Sequence, residues 1–301
     1  MGRFGSRSST AYLIRQKYIL TTSFQLFTPE SHMGRLQGKI AVVLGAAGEG
    51  NMGQVMARRF AAEGATVVVA GRQLAPLQTL ANEIGGLALA CDITQKADVL
   101  ALVERTVAAY GRLDVAVNAT GWGLMGKILD TTEEQLDKVS ALQFKGPYFF
   151  LQSVVPAMVK SGGGSIILIT SASVYRVLQH HAAYIATKAA GDALMRCFAN
   201  EFGGKGIRIN SIAPGLTTTP MTLKDVKVPG LEEAFVREYP LGRIGTPEDV
   251  ADAALWLAGD ECFMTGEVLQ ANGGLMLRRN PQPADINASL KAAAAKAANP
   301  G

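Results

Sequence analysis

The sequence predicts a doubly wound α/β domain, with about seven parallel strands flanked by helices on both faces. Three observations predict it. Short apolar runs alternate with longer helical patterns from Lys39 onward, those runs lack polar interruptions, and a glycine-rich turn follows the first of them. Alternation of this kind builds βαβ units, and uninterrupted apolar runs suit strands buried on both faces.

Ile40 to Leu44 is the first strand, followed by residues 53–63, apolar at helical spacing. Thr66 to Ala70 is the second, followed by a helical stretch through about Ile84. Further strands are expected near 87–90, 113–118, 165–170, 207–212 and 267–271, with helices at about 95–110, 131–160, 182–203 and 247–258. Right-handed crossovers then place helices on both faces of the sheet. Residues 34–280 form this one domain. Residues 1–33 stand apart: they are Ser/Thr/Arg-rich, and Arg3, Arg7, Arg15 and Lys17 precede the first acid, Glu30. They read as an organellar transit peptide, or as upstream or vector-derived sequence ending in the junction Ser31-His32-Met33, and are expected to be disordered. Residues 281–301, with a Lys-Ala-Ala-Ala-Ala-Lys run, read as a tail, loosely helical or disordered.

Composition narrows the function. With 29 basic and 25 acidic residues the net charge is only +4, and no basic stripe marks a nucleic-acid partner. No apolar run reaches the roughly 18–20 residues of a membrane span. Cys91, Cys197 and Cys262 are odd in number and far apart, which fits neither a disulfide framework nor a zinc spacing. The Asn-x-Ser/Thr matches at Asn118 and Asn287 read as chance. The expected location is the cytoplasm, or an organellar matrix if residues 1–33 are a transit peptide.

Gly48-x-Gly50-x-x-Gly53 lies between a buried strand and an amphipathic helix. Glycines there permit a tight turn and let backbone approach a pyrophosphate at a helix N-terminus, so a dinucleotide is expected. The second strand ends in Ala70-Gly71-Arg72. Gly71 stands where an acid would hold the ribose hydroxyls of NAD, and Arg72 suits a 2′-phosphate, which favours NADP with NAD possible. Glu49 in the loop opposes that preference.

Ser171 follows an apolar strand, and Tyr184 and Lys188 share one face of a helical pattern. A neighbouring ammonium is expected to lower the phenol of Tyr184 toward the range useful for proton transfer. Ser171 would then orient a carbonyl oxygen.

These pieces do not stand alone. The turn 45–53, Cys91-Asp92-Ile93, Asn118-Ala-Thr-Gly121, Ser171 thirteen residues before Tyr184-Ile-Ala-Thr-Lys188, Asn210-Ser-Ile-Ala-Pro214-Gly215, Thr219-Pro220-Met221, the run Gly242 to Ala251 and Thr265-Gly266 occur in order. The chain resembles the short-chain dehydrogenase/reductase family over roughly residues 36–276. The resemblance implies a single Rossmann-like domain and hydride transfer between a nicotinamide and a carbonyl or alcohol substrate, with Tyr184 as acid/base and Lys188 also gripping the nicotinamide ribose. It further implies cofactor contacts from Gly45, Gly48, Gly50, Met52, Gly53, Arg72, Asp92, Ile93, Asn118, Ala119 and Gly121. Pro214, Gly215, Thr217 and Thr219 would hold the carboxamide. Members pair as dimers or tetramers through the helices that here read as 131–160 and 182–203.

Three departures stand out: a turn two residues longer than usual, the loss of the second Asn after Asn118, and Gln143 where an Asn usually supports the relay water and the lysine. Gln carries the same donor and acceptor one methylene further out. On the substrate side, Trp122, Leu124 and Met125, with Met221, Leu223, Val226, Val228 and Leu231 of a mobile lid over 216–240, suggest an apolar ketone or secondary alcohol. Packing of the lid on the body would explain them equally. Tyr175, His180 and His181 could face the substrate, and no third ligand makes a metal site of the histidines. The alternatives are a catalytically weak dinucleotide sensor or scaffold, and an epimerase or dehydratase with a transient hydride step.

Overall fold

All seven strands pair in parallel, in the order β3-β2-β1-β4-β5-β6-β7. This computed structural model describes residues 34–298, so the expectations for residues 1–33 lie outside the described residues. The strands are β1 Ile40–Leu44, β2 Thr66–Gly71, β3 Leu87–Ala90, β4 Val115–Asn118, β5 Gly164–Ile169, β6 Ile207–Ile212 and β7 Val268–Leu269. The helices are α1 Met52–Ala62, α2 Leu74–Ile84, α3 Lys96–Tyr110, α4 Glu133–Ser140, α5 Gly146–Ser161, α6 Ala182–Phe202, α7 Leu223–Val226, α8 Leu231–Val236, α9 Pro247–Ala258 and α10 Pro283–Ala298.

The period of two along each strand splits the apolar side chains between two cores. Ala41 and Val43 of β1 join Met56, Phe60, Leu77 and Val250 under α1, α2 and α9. Val42 and Leu44 join Leu102, Phe150, Leu151 and Met195 under α3, α5 and α6. Both faces are therefore covered, as the uninterrupted runs require. β1 and β4 are adjacent, so the strand order reverses between them and opens a crevice at their C-terminal ends.

The helix expected over 131–160 is two helices. A capping box on Thr132 and Gln135 starts α4, and residues Ala141–Lys145 form a π-helical turn before α5. The wider turn points Gln143 inward, where it is 3% exposed. Residues 283–298 form a helix that packs on α8: a Cβ on Gly230 would lie 2.6 Å from the Ser289 carbonyl oxygen. Among the described residues, no helix is long and apolar enough to cross a membrane.

Candidate active site

The turn after β1 is held by its own chain. Gly45 and Ala46 donate backbone N–H groups to the Ala70 carbonyl. Asn51 caps α1 by accepting from the Gln54 amide at 2.8 Å, and its own amide donates to the Gly45 carbonyl at 2.9 Å. Glycine is forced here by space. A Cβ on Gly53 would stand 2.5 Å from the Gly45 oxygen, and one on Gly45, at φ +101°, would stand 2.8 Å from the Ala119 carbonyl carbon. Gly50 has φ +67° with nothing near its missing Cβ, Gly48 faces Asn51, and Met52 opens α1. This cradle fits a dinucleotide, with the helix N-terminus directed at the loop. Arg72 is exposed just past β2, and the charge of Glu49 falls within reach of Arg58.

Three further cofactor candidates are committed by their side chains. Asp92 accepts from the Thr94 amide and hydroxyl at 2.9 and 2.8 Å. Ile93 is 3% exposed and fills the space beside Gly146, so its side chain serves the core. Asn118 accepts from the Thr120 amide and hydroxyl, and Ala119 donates to the Leu44 carbonyl, which locks the β4 end against β1.

The candidate reacting centre lies past the end of β5 and on α6. Ser171, extended after β5, shares a hydrogen bond of 2.9 Å with the Ser173 hydroxyl. Tyr184 is half-buried on α6, one turn before Lys188. The Lys188 ammonium donates to the Ile169 carbonyl at 2.8 Å and to the Thr120 carbonyl at 3.4 Å. It lies 6.0 Å from the Tyr184 ring centre. Burial pulls Lys188 down to about 8, partly offset by Asp192. The phenol departs from expectation: burial holds Tyr184 above its ordinary value, with Ser171 acting in the opposite direction.

Gln143 lies beside the lysine and makes two contacts of its own. Its carbonyl oxygen accepts from the Trp122 amide at 2.9 Å, and its NH2 donates to the Thr187 hydroxyl at 2.8 Å. It therefore ties the loop after β4 to α6. A Cβ on Gly121 would meet both the Gln143 oxygen and the Lys188 nitrogen at 3.3 Å, so glycine here lets both side chains come close to the loop. A cavity of about 10 Å³, room for one water, lies among Asn118, Thr120, Gln143, Thr170 and Lys188.

The matching family model is described as enoyl-(acyl carrier protein) reductase and spans residues 45–276. A 3-oxoacyl-[acyl-carrier-protein] reductase of Thermotoga maritima is 36% identical over 249 residues, covering 81% of this chain and 100% of its own length. A 7alpha-hydroxysteroid dehydrogenase of Escherichia coli K12 is 35% identical over 246 residues, 80% of this chain and 95% of its own. The crystal structure of a 3-ketoacyl-(acyl-carrier-protein) reductase from Brucella melitensis, complexed with NADH, matches with a TM-score of 0.74 at 30% identity, covering 80% of this chain and 99% of that one. The chain belongs to the short-chain dehydrogenase/reductase family. It is thus an NAD(P)-dependent oxidoreductase of CH–OH and C=O groups.

This short-chain dehydrogenase/reductase has a third, separate apolar cluster. Phe235, Tyr239, Ile244, Ala172 and Leu275 form it, with Leu178, Val226, Leu231 and Ile286 packed around them. Val226 and Leu231 of the lid are thus packing residues. Met221, Leu223 and Val228 are exposed, and a Cβ on Gly123 would lie 3.3 Å from the Met221 sulfur. Leu124 is buried, Met125 is exposed, and the Trp122 ring carries the Lys138 ammonium 4.8 Å from its centre.

Tyr239 is absent from the sequence-derived set. Its hydroxyl accepts from the Leu216 amide at 2.6 Å and occupies the space beside Gly215. Burial pushes that phenol up to about 12. Pro214 accepts from the Ala172 amide, Thr217 is 3% exposed and donates to the Gly215 carbonyl, and Thr219 bonds Thr222. Tyr175 does not turn to the substrate: its hydroxyl donates to Asp192 at 2.8 Å. His180 is exposed, at φ +66°, while His181 stands edge-on to the Tyr184 ring at 6.1 Å between centres.

Proposed function

We propose that the chain transfers hydride between NADP(H) and an apolar ketone or secondary alcohol, with Tyr184 as the proton donor or acceptor. The convergence of Ser171, Tyr184 and Lys188 at the β5–α6 edge, facing the glycine cradle across the crevice, carries this reading. The nicotinamide supplies or takes up a hydride at the substrate carbon. In reduction, Tyr184 holds a proton at Oη and releases it to the substrate oxygen, and in oxidation it removes one. A raised phenol keeps that proton in place until negative charge develops on the oxygen. Ser171, its hydroxyl oriented by Ser173, fixes the oxygen. Lys188 grips the nicotinamide ribose, and its charge stabilises the phenolate. Gly45, Gly48, Gly50, Met52 and Gly53 hold the pyrophosphate. Pro214, Gly215, Thr217 and Thr219 hold the carboxamide.

Arg72 supports NADP, and Glu49 opposes it, since the nearby Arg58 is paired with Glu83. Half-exposed Leu136, Phe144 and Tyr148 on the α4–α5 side support pairing of copies there, as a dimer or tetramer. The reading places the enzyme in the cytoplasm, or in an organellar matrix if residues 1–33 direct it there.

Purified protein with NADPH and a panel of apolar ketones tests this by loss of cofactor absorbance. Tyr184→Phe should reduce turnover at least about a hundredfold while NADPH still binds. Tight NADPH binding without turnover of any ketone, unaffected by Tyr184→Phe, would instead identify a sensor.

A further inference from the structure

Asp192 is a carboxylate 1% exposed, on α6 one helical turn beyond Lys188. Groups four apart share a helix face, with Cβ atoms about 5–6 Å apart. One oxygen accepts the Tyr175 hydroxyl at 2.8 Å, and the other, Oδ1, has no hydrogen-bond partner among the described residues. A buried ionised carboxylate without a compensating charge is costly, so it implies a cation nearby. The Lys188 ammonium is a cation one turn away on the same helix: it too is buried, and among the described residues its hydrogen-bond partners are the neutral carbonyls of Ile169 and Thr120.

We propose that Asp192, clamped by Tyr175, is a positioning residue that keeps the Lys188 ammonium charged and in place beside Tyr184. This rests on the function proposed above. The groups around Lys188 are Tyr184 and Asp192 from α6, neutral Gln143 from the π turn, and the carbonyls from the ends of β4 and β5. Tyr175 and, through it, Arg196 act on Asp192 from the Ser171–Tyr184 connection and the next turn of α6. Burial lowers Lys188 to about 8 and Asp192 resists that fall. Removing the carboxylate moves the loss of the ammonium to lower pH.

The test uses the full chain with NADPH and a ketone it reduces, comparing Asp192→Asn, Asp192→Glu and Tyr175→Phe across pH 6 to 9. The expected result for Asp192→Asn is near-wild-type kcat at pH 6, a loss of about fivefold at pH 8 for a shift of about one pH unit, and an unchanged KM. Asp192→Glu restores the profile in part, and Tyr175→Phe shifts it the same way by less. Profiles that superimpose on wild type, with any loss uniform across pH, overturn the proposal. If Asp192→Asn does not fold, Tyr175→Phe decides by the same readout. NADPH affinity against pH, read by fluorescence, senses the Lys188 charge without turnover. If no ketone is reduced, the proposed function fails, and that binding profile alone decides the role of Asp192.

Discussion

The glycine turn after β1 and the lid over 216–240 both border the reacting centre, yet they are held in different ways. The turn sits on one of the two large cores and is fixed by backbone contacts so close that a Cβ does not fit at Gly45 or Gly53. The lid rests on a small cluster of its own, shared with residues 172, 178, 275 and 286. Part of that support lies in α10, beyond the family match that ends at residue 276. Where every member must grip the same cofactor, the backbone leaves little freedom. Where substrates differ, the contacts are side chains that can change singly.

That contrast can be broken most severely at Gly53. Gly53→Val would drive a branched side chain into the Gly45 carbonyl; overpacking of this kind costs about 1–3 kcal/mol. NADPH affinity should fall about a hundredfold if that cost lands on the binding loop, measured by fluorescence titration. An unchanged affinity would show that the loop yields after all. Next comes Arg72→Ala, expected to weaken NADPH about tenfold, an ion-pair loss of about 1.4 kcal/mol, and to leave NADH unchanged. Equal losses for both would remove Arg72 from the 2′-phosphate.

On the lid side, Ile286→Asp places a charge in the small cluster. KM for a reduced ketone should rise several-fold while NADPH affinity stays put, and trypsin should cut faster at exposed Lys224 and Lys227. A matching loss in cofactor affinity would erase the distinction between the two regions. The smallest effect belongs to Thr246→Ala, which opens the capping box of α9 beneath the first core. About 1 kcal/mol of stability is expected to go, read by denaturant unfolding. Asp249 completes that box. Arg243 holds its carboxyl down at about 2 against an ordinary 3.8, so its contribution is present above pH 4 and is lost as pH falls through about 2.

The strands were legible in the sequence because they follow from a short-range pattern, apolar runs alternating with helical stretches, whereas Ser171, Tyr184 and Lys188 stood out only through the ordered motifs around them. Gln143 was legible as a position but not as a contact. Its partners Trp122 and Thr187 are 21 and 44 residues away, and the π turn that aims it has no local signature. Asp192 was hidden because Tyr175 reaches it only through the path of the connection between β5 and α6. Tyr239 stayed invisible for a similar reason, since a lone tyrosine in a lid gives no sign of the backbone amide it will accept.

The π turn at 141–145 also bears on how this chain can vary. Each residue of an α-helix turns it by about 100°, so an ordinary helix through this stretch would roll α5 relative to α4. Val139 and the row Phe150, Leu151, Val154 and Met158 could then not all face inward together. Deleting one residue between Ala141 and Lys145 would therefore do more harm than most substitutions there, because it resets the phase of a buried helix.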